Sequence, residues 1–441
     1  MRDTVLVKLR WSYRIFPGWW TVVTGSFMNL WGAGYTVYGF SALFKPMSAE
    51  LNFSRAVTSV AASIGRLQSG IQDPVLGWMV DRFGPRRVVL FSIFLLGIGL
   101  MSMYFIYSLW AFYLVWGIVV GIGQNVSSGL PINKSITNWF VKKRGLAMGM
   151  RMMLTAALVL PLITWFIDNW GWRVACVIGG IVAIAIGFPL AWLGLKDQRP
   201  EFYGLLPDGA TSTDKSGDVN QMVERGVKYA ANFDEVEFTF RQALRTPAYW
   251  FLIVAQIGQS ISSQSLLVHF VPFLTDIGMT PAKAAAVVTM SGLFGIVSRF
   301  GSGFVADRVR KKNLRFIISG GFILQAAGIG IFLVSQTVGM IYPFLISYFF
   351  CMGVGMIVIP VTSGRYFGRK AFGSIQGSST IITMLPGIVA PVYLGWVYDT
   401  TGRYIAGFAT VAAILAVSGV VMLIARPPKP PAHITGVHQI V

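Results

Sequence analysis

Gly77-Trp-Met-Val-Asp81-Arg82-Phe-Gly84-Pro-Arg86-Arg87 and, much later, Gly303-Phe-Val-Ala-Asp307-Arg308-Val-Arg310-Lys311-Lys312 are two copies of one loop. Gly, Asp and Arg recur at one separation, since 303−77, 307−81 and 308−82 all equal 226. The match continues outward. Trp139-Phe140-Val-Lys142-Lys143 pairs with Tyr366-Phe367-Gly-Arg369-Lys370 at 227, and Gly145 and Gly149 pair with Gly373 and Gly377 at 228. Between these landmarks the chain is apolar in blocks of roughly 20 residues, the length that crosses about 30 Å of hydrocarbon as helix. Cutting at the blocks yields twelve spans: 20–44, 55–78, 88–107, 110–137, 145–167, 172–194, 248–275, 281–305, 314–335, 338–363, 372–397 and 404–425. The expected fold is therefore an all-α membrane protein, twelve transmembrane helices in two six-helix bundles related by a parallel repeat. Carriers built this way rock their halves around a midplane site, and small-xxx-small pairs let their helices pack closely. Residues 1–195 form the first half, 196–247 a linker, and 248–441 the second half with a short tail.

Composition agrees. Of 441 residues 54% are hydrophobic and only 12% charged, against about 25% charged in soluble domains. That excludes a disordered chain and a cytosolic α/β enzyme. The net charge of +19 raises the question of a polyanion partner, and the distribution answers it: 27 of the 36 Lys and Arg fall in the N-tail, the even-to-odd loops or the C-tail. This is the positive-inside asymmetry. It predicts a multi-pass protein of the cell membrane with both termini cytoplasmic and no nucleic-acid partner. The basic stretch before Trp19 precedes a full-length span and lacks a small-residue cleavage site, so it does not read as a signal peptide. Cys176 and Cys351 lie inside spans, with neither a disulfide pattern nor metal-ligand spacing. No cofactor, metal or catalytic nucleophile is expected.

The linker holds nine of the 17 acidic residues, with Pro200, Pro207 and Gly209. Its last part, 233–244, alternates apolar and charged residues and predicts an amphipathic helix on the membrane surface.

The paired Gly-x-x-x-Asp-Arg loops resemble the signature of the major facilitator superfamily over nearly the whole chain. Asp81-Arg82-Phe83-Gly84-Pro85-Arg86, Trp139-Phe140 through Arg144-Gly145, Pro200-Glu201 through Pro207-Asp208-Gly209, and Tyr366-Phe367-Gly368-Arg369 resemble the bacterial monocarboxylate porter and oxalate/formate antiporter group. The resemblance implies alternating access by the two halves, with Gly77, Asp81, Arg82, Gly84, Arg86, Gly303, Asp307 and Arg308 latching the cytoplasmic side.

Ionisable groups at membrane depth are functional candidates because lipid makes them costly. Arg66, Asp73, Lys134, Arg151 and Arg299 qualify. Lys134 and Arg151 lie about 10–12 Å inside the boundary at roughly 1.5 Å of rise per residue, and long basic side chains snorkel; they read as anchors or gate contacts. Arg299 is nine residues before Arg308, near the bilayer centre, and the C-terminal spans contain no acidic residue. A guanidinium binds carboxylate in a bidentate fork. In the resembled porters an Arg ahead of the span 8 loop binds the carboxylate, and Arg299 matches it. Arg66 and Asp73 share a face of span 2; either they hold each other, or Asp73 is a proton site and Arg66 a second anion contact. Asp73 is also the repeat partner of Arg299, at 226. Within the spans Asp73 is the one acidic residue and His269 the one His, so these two are the proton-coupling candidates.

Neutral hydrogen-bonding groups complete the expected lining, which the resembled fold puts on spans 1, 4 and 7: Tyr35, Tyr38, Asn125, Gln256, Gln259 and Gln264, with Asn29, Gln124 and Ser263 nearby. Such groups around a cation suit a small oxygen-rich anion. Departures narrow the class. Span 11 has no Lys or Arg, whereas the oxalate/formate type uses one there to clamp a dianion, and Gly295 stands where animal porters carry an Asp. The expected function is secondary transport of a small organic monocarboxylate, with a proton or counter-anion. The alternatives are an inorganic oxyanion carrier using Arg66 and Arg299, and a membrane sensor or scaffold without transport.

Overall fold

The computed structural model describes residues 15–51, 55–154, 156–210, 219–233, 235–335 and 337–430; the side chains of Tyr38 and Arg66 lie outside the described residues. Twelve helical runs cross the described part. Span 1 covers 18–50 and span 2 Arg55–Phe83. Span 3 is Pro85–Phe105 and span 4 Leu109–Trp139. Spans 5 and 6 cover 144–170 and 172–194, turning at Gly171, whose φ of 77° lies in the left-handed region. Span 7 is Pro247–Asp276, span 8 Pro281–Arg308, span 9 Leu314–Ser335 and span 10 Ile341–Phe367. Span 11 is Phe372–Thr401 and span 12 Ile405–Ile424. Among the described residues nine runs are long and apolar enough to cross a membrane, with spans 5 and 6 overlapping one of them. Spans 1 and 2 complete the set; their Trp, Tyr, Gly and, in span 2, Gln and charged residues make them less apolar. The twelve-helix, two-bundle architecture is thus present, and several helices overrun their apolar blocks by a turn or more.

Each half is tied by contacts its sequence foreshadows. Gly194 admits Thr24, whose hydroxyl donates to Leu190 O at 3.0 Å and so binds span 1 to span 6. Span 9 packs along span 12, and span 7 along both 11 and 12. Gly129 breaks span 4, with Leu130 and Pro131 restarting the helix. The break exposes the Ser128 carbonyl, and Arg151 of span 5 donates to it. Arg151 is buried and does not snorkel; it repairs a helix break inside its own half.

The linker differs from expectation. Residues 233–244 are not one amphipathic helix: 235–239 are not helical, ending extended at Thr239, and only Phe240–Leu244 is helical. The linker's helix lies upstream, Val219–Ala231. The apolar-charged alternation has period two because the non-helical strip buries both kinds of side chain. Phe238 packs edge-on against Phe367 while Glu235 meets buried arginines.

Candidate functional site

The halves meet most closely where spans 2 and 11, and spans 5 and 8, cross. At one crossing Gly373 lies on Gly77 and Gly377 on the backbone of Asp73; at the other Gly145 lies on Gly303 and Gly149 on the backbone of Arg299. A β-carbon at any of these four small positions, 145, 149, 373 or 377, would collide with backbone, which requires glycine there. The contacts map onto one another by the offsets of the repeat. Asp73 and Arg299, opposite in charge, therefore occupy equivalent places under the opposing half.

The loop aspartates act across this interface. Asp307 accepts the amides of Gly145 and Leu146, both at 2.7 Å, in the first turn of span 5. Asp81 accepts those of Gly373 and Ser374 at 3.1 and 2.7 Å, with the Ser374 hydroxyl at 2.8 Å, in the first turn of span 11. Helix N-termini leave amides unpaired and carry partial positive charge, so a carboxylate there is stabilised twice over. Each half thus caps a helix of the other. Lys134 is buried and turned inward: its Nζ lies 2.6 Å from Asp81 Oδ1 and donates to the carbonyls of Arg369 and Lys370, joining the halves. Span 10 supplies Arg365 to Asp307 at 3.6 Å. The other loop residues play different parts. Gly84, with φ 87°, starts span 3; Arg82 lies over Trp78, Arg86 over Trp192 and Arg308 over Phe304.

Beneath these caps sits a buried ionic layer that the residue-by-residue reading missed. Arg144 and Arg369, one from each half, are almost wholly buried. Glu235 pairs with Arg144 at 2.9 Å and with Arg369 at 3.3 Å; Glu201 pairs with Arg369 at 2.9 Å. Glu237 pairs with Arg199 at 2.9 Å and accepts the Lys370 amide at 2.7 Å. Burial pushes the Glu237 pKa up, but Arg199 and Arg369 outweigh it and hold the carboxyl below its usual value. Asp208, at a φ of 60° that Asp tolerates better than most residues, accepts three consecutive amides, Val141 to Lys143, at 2.8–3.1 Å. The signal was available: the linker holds nine of the 17 acidic residues, and the loops it meets carry the basic runs Lys142-Lys143-Arg144 and Arg369-Lys370.

At membrane depth, Arg299 NH1 reaches from span 8 toward Met152 O of span 5 at 3.4 Å, across the halves. Asp73 has the Thr380 hydroxyl of span 11 as side-chain partner. Thr380 and Met152 are again related by 228. Gln256 lies 3.5 Å from Gln376 of span 11. Gln259 is buried against Gly355 with both amide atoms unpaired. Gln264 and Asn125 are half-buried. Tyr35 is fully buried and donates to Ala175 O at 3.1 Å, so it packs the first half from within. His269 is held at both nitrogens, by Pro391 O at 2.8 Å and Tyr404 Oη at 3.2 Å. Nε2 donating to the carbonyl leaves Nδ1 to accept from the tyrosine, so both ring nitrogens have a partner.

The family described as Major Facilitator Superfamily matches residues 24–391. The chain is 25% identical over 419 residues to monocarboxylate transporter 13 of Rattus norvegicus, covering 92% of this chain and 89% of that one. It is 23% identical over 408 residues to the oxalate:formate antiporter of Oxalobacter formigenes, covering 89% of each. Among solved structures it resembles a proton:xylose symporter (TM-score 0.66, 12% identity, 94% and 95% of the two chains). It also resembles a human organic anion transporter (TM-score 0.61, 13% identity, 92% and 97%). These structural likenesses speak to the fold. The chain is a transporter rather than an enzyme.

Proposed function

We propose that this chain, which belongs to the major facilitator superfamily, carries a small organic monocarboxylate and holds it at Arg299. The observation that carries the reading is the reach of the Arg299 guanidinium out of one half toward a backbone carbonyl of the other. A ligand there is touched by both halves, and its carboxylate competes with that carbonyl for the same donors. Binding then removes one tie between spans 8 and 5, which gives the ligand different affinities in the two states, the condition for driving a conformational change. The names of the monocarboxylate transporters and of the oxalate:formate antiporter support a small carboxylate. The absence of Lys and Arg from span 11 favours one negative charge over two. Gln256, Gln259, Gln264 and Asn125 supply neutral hydrogen bonds.

In this cycle the loop end, cytoplasmic by its excess of positive charge, is shut by the two cross-half caps, Lys134 and the ionic layer. Opening there releases both carboxylates from their helix ends together, because the repeat places them symmetrically. Asp73 is the coupling group, since it holds the place equivalent to Arg299 while His269 is engaged on both sides.

The test is uptake of labelled formate, acetate, lactate, pyruvate, oxalate and nitrate into proteoliposomes, intact protein against Arg299→Gln and Arg299→Lys. Loss of a charge-assisted bidentate contact costs on the order of 2–5 kcal/mol, so kcat/KM for the preferred acid falls at least thirtyfold in the Gln variant, with partial recovery in the Lys variant. Unchanged uptake by well-folded Arg299→Gln refutes the site, and preference for nitrate refutes the substrate class.

A further inference from the structure

The two signature loops are copies, yet they differ in how their positive charge is balanced. In the first, Asp197 leaves span 6 and returns to the loop: Oδ2 lies 3.6 Å from Arg87 Nε and Oδ1 accepts the Arg87 amide at 3.3 Å. In the second, the chain leaving span 12 reads Arg426-Pro-Pro-Lys429 and has no acid. Asp307 is engaged with span 5 and Arg365. After it, no acidic residue occurs before Asp399. Arg308, Arg310 and Lys312 are exposed and Arg315 is half-buried. Among the described residues none of the four pairs with a carboxylate. The Nε of Arg315 is buried without an acceptor.

A second feature points at this cluster. Leu293, Val297, Phe300 and Phe304 are all exposed on span 8. Steps of four, three and four put them on one helical face, and the next step of four is Arg308, whose guanidinium lies on the Phe304 ring. Across the loop, Arg315 lies over the exposed ring of Phe316 at the start of span 9. An apolar stripe of acyl-chain length thus ends in uncompensated guanidinium and ammonium groups at the membrane boundary. A free anion would use only the basic end; an anionic lipid uses both.

We propose that Arg308, Arg310, Lys312 and Arg315 form a headgroup site for an anionic phospholipid whose chain lies along Leu293, Val297, Phe300 and Phe304. The lipid supplies the second loop with the counter-charge that Asp197 gives the first. The inference does not depend on which substrate is carried.

The experiment is native mass spectrometry of the full chain in detergent, titrated with phosphatidylglycerol, phosphatidylcholine or inorganic phosphate. Wild type, Arg310→Gln/Lys312→Gln and Lys142→Gln/Lys143→Gln are compared. The two double variants remove equal charge at exposed positions, so the second controls for net charge. Each basic residue near an anionic surface contributes on the order of fivefold. The site predicts at least tenfold preference for phosphatidylglycerol over phosphatidylcholine, lost at least fivefold in the 310/312 variant and kept in the 142/143 variant. Equal loss in both variants, no headgroup preference, or displacement of the lipid by millimolar phosphate overturns the proposal; the last result would make this a free-anion site. Leu293→Ser/Val297→Ser tests the stripe: unchanged affinity for the lipid with a shortened-chain analogue bound equally well overturns the acyl contact.

Discussion

Asp73 and His269 separate once their surroundings are compared. His269 donates to Pro391 O and accepts from Tyr404, so a proton arriving at Nδ1 must first displace a hydroxyl hydrogen bond. Asp73 sits under Gly377 with the Thr380 hydroxyl beside it. His269→Phe should therefore lower thermal stability by about 1–2 kcal/mol through two lost hydrogen bonds while leaving the response of uptake to a proton gradient intact. Asp73→Asn, nearly isosteric, should abolish acceleration by the gradient and spare exchange of labelled for unlabelled acid. Gradient-driven uptake by Asp73→Asn would remove it from coupling. Lys134 teaches the same lesson about environment. Its depth suits a snorkelling anchor, but Asp81 and two carbonyls lie within reach of its Nζ, and these decide where it points.

At the level of the helices, the crossings depend on absent side chains. Gly149 lets span 5 meet the backbone of span 8 and Gly377 lets span 11 meet that of span 2, which brings the span 5 and span 11 N-termini within reach of Asp307 and Asp81 respectively. Gly149→Val or Gly377→Val should push the pair apart, break the cap beyond it and open the loop end. A cysteine at Asn138, 4% exposed in the shut form, reports this: maleimide labelling of Asn138→Cys should rise at least fivefold in either background. The natural thiols, Cys176 and Cys351, are buried and contribute little. Labelling unchanged by both valines would mean that the caps hold without the close crossing.

For the whole molecule, the linker is a strap over the shut end. Glu235 bridges arginines from both halves, so Glu235→Gln leaves buried Arg144 without that carboxylate and Arg369 with Glu201 alone. Removing one partner of a buried pair costs about 3–5 kcal/mol, and the variant should lose thermal stability and label more readily at the Asn138 reporter. The strap is also acid-labile in a defined sense. Glu237, held below the ordinary carboxylate pKa of about 4.3, contributes stability that is complete above that value and disappears as pH falls through its lowered one. Protonation of Glu237 should thus raise loop-end labelling only below the ordinary carboxylate range. Glu237→Gln should remove part of that rise and destabilise the strap at neutral pH. A rise already present near pH 6 would assign the acid sensitivity to other groups.

The architecture is written in the chain, because hydrophobic block length is set by membrane thickness and a duplicated gene leaves its spacing in the residues. Twelve spans, two halves and the pairing of Asp81 with Asp307 and of Asp73 with Arg299 all follow from those two periodicities. What the sequence could not determine was which buried polar group meets which. Glu235, at the centre of the ionic layer, is 91 residues from Arg144, and Asp81 is 292 from Gly373. The alternating pattern of 233–244 misled for the same reason: it marks two faces, and only the tertiary structure decides whether those faces are lipid and water or aromatic rings and arginines. Local pattern encodes how a segment is solvated; the identity of each charge's partner depends on how the halves are docked.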